Sequence, residues 1–314
     1  MTRTGNTGMV VTNVKGAFHN NFFKIKYPEF INKDFLVSFL RLPLTQNKIL
    51  KLAGTSTIPD LNHSDFYRMI FTFPTLPEQE KISSFFTVID KKLNLLKEKK
   101  EKLELYKKGV MQQIFSQKLR FKDEKGNEFP EWEEKKLEEV LVKYEKKAEF
   151  HNQYPVLTSS RRGLFFQKDY YNGNDIASSD TTGYNIVPRA YFTYRHMSDD
   201  LIFKFNINNL CDKGIVSTLY PVFTTKNIYS EFLRIKLNEG EEFKKFAILQ
   251  KQGGSRTYMY FSKLINLVIN MPCEEEQKKI ADFLSALDDK IALVDQQITQ
   301  TGLWKKGLLQ KMFV

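Results

Sequence analysis

Cysteine is nearly missing from this chain: 314 residues hold only Cys211 and Cys273. Such a pair cannot make a disulfide framework, and a reducing, cytoplasmic setting is expected. Long apolar runs are missing as well. No stretch approaches the roughly 18 residues that a membrane-spanning helix needs, so no membrane partner is expected. The opening Met-Thr-Arg-Thr-Gly is not followed by the apolar segment of a secretory signal. Histidine is scarce, and His19, His63, His151 and His196 lie at no metal-ligand spacing. There is no phosphate loop ending in Gly-Lys-Ser/Thr, no G-x-G-x-x-G after a strand and no G-x-S-x-G elbow. A nuclease-like carboxylate set can be forced from Pro59-Asp60 with Glu98-Lys99-Lys100, but its second half falls in a charged helical run. Together these absences argue against catalysis on this chain.

Basic charge and apolar bulk are plentiful. Lys plus Arg exceeds Asp plus Glu by 48 to 37, a net charge of +11, and 27 phenylalanines supply material for packed cores. A surplus of this size suits a polyanionic partner, either nucleic acid or an anionic membrane face. Charge alone does not choose between them.

An internal repeat organises the sequence. Residues 77–115 align without a gap on residues 275–313, an offset of 198, with 14 of 39 positions identical. The identities include Glu78/Glu276, Gln79/Gln277, Ile82/Ile280, Phe85/Phe283, Asp90/Asp288 and Lys107-Lys108-Gly109/Lys305-Lys306-Gly307. Each copy predicts a long helix. Ile82, Ile89, Leu96, Leu103 and Val110 recur every seven residues in the first copy, and Ile280, Leu287, Val294 and Leu308 keep that period in the second. Sustained heptads of this kind bury one seam against another helix. Pro74 and Pro77 precede the first helix, and Pro272 with Glu274–Glu276 the second, as suits helix starts. Such a helix measures about 58 Å, the rise of roughly 17 base pairs of duplex DNA. Residues 91–108 carry eight lysines against three glutamates. That stripe could face DNA, although most such runs are solvated helix faces.

The stretches between the helices read as β-rich heads. Residues 66–74 (FYRMIFTFP) and 264–272 (LINLVINMP) each predict a final strand reaching a proline. Small polar loops precede them at Gly54–Thr57 and Gly253–Thr257. Gly8–Val11 resembles Gly214–Ser217, and strand-like runs follow at Phe22–Ile25 and Tyr220–Phe223. Ser116–Glu128 reads as a polar linker with a Lys-Gly-Asn turn, and a second globular part opens at Phe129-Pro130-Glu131-Trp132. At the repeat offset, the counterpart of Trp132 would lie about 66 residues before Met1. The first head is therefore expected to begin in mid-module, near the equivalent of residue 206.

The Glu-Gln-x-x-Ile start of both helices at Glu78 and Glu276, each with a proline four residues earlier at Pro74 and Pro272, the Phe-Pro-Glu-Trp opening and the head–helix–head–helix order carry a resemblance. The chain resembles the DNA-specificity (S) subunit of type I restriction–modification enzymes over nearly all its length. The resemblance implies an α+β fold: globular mixed α/β target-recognition domains separated by two long antiparallel coiled-coil helices. It implies a partial first recognition domain at 1–76, a first spacer helix and linker at 77–128, a second recognition domain at 129–272 and a second spacer helix at 273–314. It further implies a non-catalytic subunit that brings adenine methylation and ATP-dependent restriction to a bipartite site on double-stranded DNA. The implied protein partners are two DNA-methyltransferase (modification) subunits and the restriction/translocase subunits. S-adenosylmethionine, ATP and magnesium belong to those partners, and no cofactor is expected on this chain. The shortened first head leaves open a structural remnant that binds modification subunits without specific DNA recognition.

Candidate DNA contacts follow from cations interleaved with aromatics. In the second head these are Arg161, Arg162, Lys168, Tyr170, Tyr171, Tyr194, Arg195, His196 and Lys204, with Ser255, Arg256 and Thr257 in the small-residue loop. Arginine can bind guanine O6 and N7, while lysine and tyrosine hold phosphates. In the first head Arg3, Lys15, His19, Asn20, Thr55 and Ser56 are the weaker candidates. Tyr191 and Phe192 alternate with Thr193 in an expected strand, where core packing is the simpler role.

Overall fold

A computed structural model describes residues 1–54, 59–173, 177, 179–251 and 254–313. The chain divides into two compact units, Met1–Leu105 with Asp289–Val314 and Tyr106–Asp288.

Unit 1 contains α1 (Lys33–Leu40), α2 (Pro43–Leu52), α3 (His63–Tyr67) and the first part of α4 (Leu76–Phe115). Asn32 caps α1, its side chain accepting from the Asp34 and Phe35 amides at 3.1 and 3.0 Å. Pro43 sits at the first turn of α2, where its missing N–H costs nothing. Phe35 is buried with Ile82, Phe86 and Ile89 of α4, and its ring stacks on Phe313 at 5.0 Å.

Unit 2 is mixed. After the last turns of α4 come β1 (Glu133–Lys136), α5 (Leu137–Val140), β2 (Leu141–Lys143), β3 (Leu157–Ser160), β4 (Gly163–Phe166) and α6 (Gln167–Tyr170). Then follow β5 (Asn185–Pro188), β6 (Phe192–Tyr194), β7 (Met197–Ser198), β8 (Phe205–Ile207), β9 (Lys213–Val216) and β10 (Val222–Thr225). The unit closes with α7 (Ser230–Glu239), α8 (Glu241–Leu249), β11 (Thr257–Tyr258), α9 (Phe261–Leu264), β12 (Val268–Met271) and the first half of α10 (Glu274–Met312). Strands β2, β10, β6 and β8 form an antiparallel sheet in that order, and β1–β12, β3–β4, β5–β9 and β7–β11 pair separately. The core joins Phe192, Tyr194, Phe205 and Phe223 of the sheet to Phe232 of α7, Ile280 and Leu284 of α10, and Ile114 of α4.

The long helices lie side by side and antiparallel within each unit. Unit 1 holds the pairs Lys100–Asp295 (2.6 Å) and Asp90–Lys305, and unit 2 holds Lys107–Asp288 (2.6 Å). All three follow one register. Because Asp90 repeats as Asp288 and Lys107 as Lys305, two of these bridges are the same interaction made twice. Along the expected seam Ile82, Ile89, Ile280, Leu287 and Val294 are buried, while Leu96, Leu103, Val110 and Leu308 are half-buried. Two lysines of the basic run, Lys100 and Lys107, thus serve helix pairing.

The repeat extends into the heads. Gln79 is buried; its amide oxygen accepts from the Asn32 N–H (2.8 Å), and its NH2 donates to the carbonyls of Pro74 (2.9 Å) and Phe30 (3.2 Å). Gln277 does the same work in unit 2, accepting from the Tyr229 N–H (2.9 Å) and donating to the Pro272 carbonyl (2.8 Å). Asn32 and Tyr229 are the residues before α1 and α7, so each glutamine ties a spacer helix to the start of a head helix. Phe35 on Phe313 likewise matches Phe232 against Phe115.

Two sequence expectations change here. Residues 66–74 do not form a strand: Phe66 and Tyr67 finish α3, and Met69–Phe73 is extended without a ladder. Its counterpart β12 is a strand because β1 pairs with it from Glu133↔Met271 to Lys136↔Val268. No strand pairs with Met69–Phe73 among the described residues. Phe22–Ile25 is not a strand either, whereas Val222 and Phe223 of the matching run belong to β10. Phe22 makes one bridge, to Thr2. The expected linker turn is present, with Gly126 at φ +85° and Asp123 accepting from the Lys125 and Asn127 amides.

Candidate DNA interface

Strands β3 and β4 are joined by a two-residue turn, Arg161-Arg162, between the paired Ser160 and Gly163. Gly163 sits at φ +135°, a conformation that side chains rarely adopt. Ser160 Oγ accepts from the Arg162 amide (3.1 Å) and donates to the Gly163 carbonyl (3.0 Å), which fixes the tip. The two arginines then diverge. The Arg161 guanidinium forks onto the Asp200 carboxylate, one arm at 2.8 Å. The Arg162 guanidinium lies 4.8 Å above the Tyr170 ring and 5.9 Å from that of Phe165. Hydrogen bonding by Arg162, then Ser160, holds the Tyr170 hydroxyl below its ordinary pKa.

A second short ladder supplies the opposing acids. β7 pairs with β11 in the register Thr257↔Ser198. One step beyond, the Arg256 Nε donates to Asp199 at 2.9 Å. Asp200 also accepts from the Ser198 hydroxyl at 2.9 Å. Hydrogen bonds from Arg161 first and Ser198 second lower the Asp200 carboxyl to about 2. Consecutive carboxylates therefore gather Arg161 and Arg256, far apart in sequence, onto one surface. Both arginines stay about half exposed, at 56% and 51%. Arg195, between β6 and β7, is exposed and makes no hydrogen bond or ion pair among the described residues.

Exposed aromatics complete this face. The Tyr258 and Tyr260 rings stack at 5.8 Å and 11°, and Tyr260 stacks on His196 at 5.1 Å. Neither tyrosine was singled out in the sequence, nor were Asp199 and Asp200. The signal for the tyrosines was there: Tyr258 and Tyr260 alternate after Arg256-Thr257, which puts them on one side of an extended chain.

Three sequence candidates are corrected by burial. Tyr194 is fully buried; its hydroxyl donates to the Met259 carbonyl at 2.9 Å, and burial pushes its pKa up. His196 is 5% exposed and lies against the Leu219 carbonyl, so it supports the tyrosine stack from beneath. Thr257 is buried within β11. All three point inward, while their neighbours Arg195 and Arg256 are exposed, because successive residues of an extended chain face opposite sides. Lys204 is half-buried and reaches Glu239 at 3.5 Å, away from the arginine cluster. Lys168 and Ser255 are exposed, and Tyr171 packs edge-on against Tyr170 at 4.9 Å.

In unit 1, Arg3 is bound through two hydrogen bonds, 2.7 and 2.9 Å, to Asp60. Lys15, His19 and Asn20 are exposed, the His19 Nδ1 accepting from the Asn21 amide. Thr55 and Ser56 lie outside the described residues, as does Gly253. Among the described residues there is no cluster of His, Cys, Asp and Glu able to hold a metal, and no helix is long and apolar enough to cross a membrane.

A repeated pair of helices, each tied by a buried glutamine to a head, with arginines and tyrosines presented on one head, defines a scaffold for nucleic-acid recognition. Comparison with known proteins specifies it further. The family model described as "Type I restriction modification DNA specificity domain" matches residues 1–105 and 130–301, and the chain belongs to that family. It is 26% identical to the type I restriction enzyme MjaVIII specificity subunit of Methanocaldococcus jannaschii, over 97% of this chain and 75% of the relative. A shorter match, 35% identical, links 30% of this chain to 21% of the HindI specificity subunit of Haemophilus influenzae. The fold is that of the S subunit of a type I system from M. genitalium, with TM-score 0.59 at 16% identity, covering all of this chain and 82% of that one. A chain from a structure on complex assembly and conformational transition of the type I R-M system aligns at TM-score 0.53 and 16% identity, over 91% and 72% of the two chains. Family membership makes DNA sequence recognition the role of this chain, with DNA and the other subunits of the system as its partners.

Proposed function

We propose that this chain is the non-catalytic DNA-binding subunit that directs adenine methylation and ATP-dependent restriction to a bipartite site. Two modification subunits and the restriction/translocase subunits carry out that chemistry in the cytoplasm, with S-adenosylmethionine, ATP and magnesium bound to them. In unit 2, Arg161, Arg162, Arg195 and Arg256 read or grip DNA, and Tyr258 and Tyr260 contact its backbone. The observation that carries this reading is the pairing of Arg161 and Arg256 with consecutive carboxylates on a half-exposed surface. Exposed ion pairs of this type gain little over hydrated charges. Their guanidiniums can therefore exchange aspartate for phosphate or for guanine O6 and N7 while already in place. Mapping methylated adenines in DNA modified by this chain with its modification subunit tests the reading. A two-part motif supports it, and random or absent methylation sinks it.

A second reading has its own observation. In unit 1 no strand pairs with Met69–Phe73 among the described residues, and Arg3–Asp60 is a single pair where unit 2 gathers two arginines on consecutive carboxylates. A chain with only one competent reading surface would bind modification subunits and yield a one-part motif or none. The same mapping separates the two.

A further inference from the structure

We propose that Met69–Phe73 of unit 1, with Glu78 beside it, is an open strand edge that takes an extended peptide of the kind that residues 118–138 supply to unit 2. The repeat shows both the edge and its occupant. Met69 and Leu267 leave their preceding helices alike, each N–H donating three residues back, to Phe66 (3.2 Å) and Leu264 (3.0 Å). From there both segments alternate. Met69, Phe71 and Phe73 turn toward the core and Ile70 and Thr72 away, as Leu267, Ile269 and Met271 do against Val268 and Asn270. Unit 2 fills the edge with β1. In unit 1 the amides of Ile70, Phe71, Thr72 and Phe73 donate to nothing among the described residues, and Ile70 is 93% exposed where Val268 is 47%. An unpaired row of backbone groups over an apolar face invites strand addition.

The carboxylates give an independent indication. Glu276 is fully buried, accepting from Arg120 (2.7 Å) and from the Trp132 indole (3.2 Å). Glu78, the identical residue of the other repeat, is exposed, and its carboxylate has no partner among the described residues. The occupant that fits this edge is thus chemically defined: an arginine for Glu78, an aromatic N–H donor beside it, and a following strand with apolar residues on the inner face.

The probe is a synthetic peptide of residues 118–138 of this chain, titrated into the intact protein while amide hydrogen exchange is followed. We expect saturable binding, slowed exchange at Ile70–Phe73, and affinity about tenfold weaker in the Glu78→Gln variant, since a charge-assisted hydrogen bond is lost. A peptide with alanine in place of Trp132 should weaken similarly. No binding, protection confined to β12, or an affinity indifferent to Glu78→Gln would each overturn the proposal. Glu78 is exposed, so its substitution leaves folding intact and the test readable.

Discussion

Glu78 and Glu276 are the same residue in two copies of one repeat, yet one faces solvent and the other is sealed under Arg120 and Trp132. Gln79 and Gln277, one position along, share two equivalent hydrogen bonds, to which Gln79 adds one to the Phe30 carbonyl. The heads differ more. The Leu61 amide donates to the Arg3 carbonyl as the Met259 amide donates to that of His196. At this equivalent place unit 1 carries the Arg3–Asp60 pair and unit 2 the His196–Tyr260–Tyr258 stack. What is held constant is the attachment of head to spacer; what varies is the surface presented outward. Recognition can diverge under such a plan without disturbing the helices.

The largest expected effect separates the two glutamates. Glu276→Ala leaves the Trp132 indole without an acceptor and the half-buried Arg120 with only the Phe129 and Pro130 carbonyls and the exposed Glu131, so denaturant unfolding should report a loss of about 3 kcal/mol. Glu78→Ala, on the surface, should fall within about 0.5 kcal/mol of the parent. Equal losses would break the comparison. The glutamines should behave in the opposite manner. Gln79→Ala and Gln277→Ala each leave a backbone N–H and carbonyl unpaired, at about 1–3 kcal/mol, and the two losses should agree to within the one long Phe30 bond that Gln79 adds. A clear inequality would mean that the two tethers are not equivalent.

The helices and their pairing were legible because a period of seven and a repeated Asp and Lys both survive in linear sequence. The seam residues Ile82, Ile89, Ile280, Leu287 and Val294 are buried where the period puts them. The final strand at 66–74 was misread because a strand is a relation between two segments, and the alternation of Met69, Phe71 and Phe73 exists without its partner. At the DNA face the arginines were legible as cations among aromatics, but Tyr194 and His196 were not separable from Arg195 by composition. Which of three consecutive residues points outward is decided by the pairing of β6 and β7, and that pairing involves residues far along the chain. Asp199 and Asp200 looked like ordinary surface acids; only the fold brings Arg256 and Arg161 to them.

At intermediate size come the DNA contacts. Arg161→Ala and Arg256→Ala should each weaken binding to the cognate duplex by about 10- to 100-fold, the scale of one bidentate base contact, with the modification complex still assembled. Arg3→Ala in unit 1 should weaken it less, because Arg3 makes a single arginine–aspartate pair where unit 2 gathers two arginines on consecutive carboxylates. Titration of matched duplexes at fixed salt reads both outcomes. A larger effect at Arg3 would shift the reading surface to the other unit.

The smallest effect is a titration. Asp200 and Asp60 both sit below the ordinary 3.8, each chiefly through an arginine hydrogen bond, but Asp200 has further donors in Ser198 and the Ile202 amide. A depressed carboxyl stabilises the folded state above its unfolded value, and that contribution fades as pH falls through the folded one. With Asp200 at about 2, the Arg161 clamp should persist from neutrality to pH 4 and open only on further acidification. Carboxyl-carbon NMR would follow both groups. Removing Arg161 should raise Asp200 only part of the way, because Ser198 and the Ile202 amide remain. Removing Arg3 should return Asp60 nearly to its ordinary value, since no other donor among the described residues holds it down. If Asp200 rises as fully as Asp60, the Ser198 bond contributes nothing, and the unit 2 surface is no better fixed than that of unit 1.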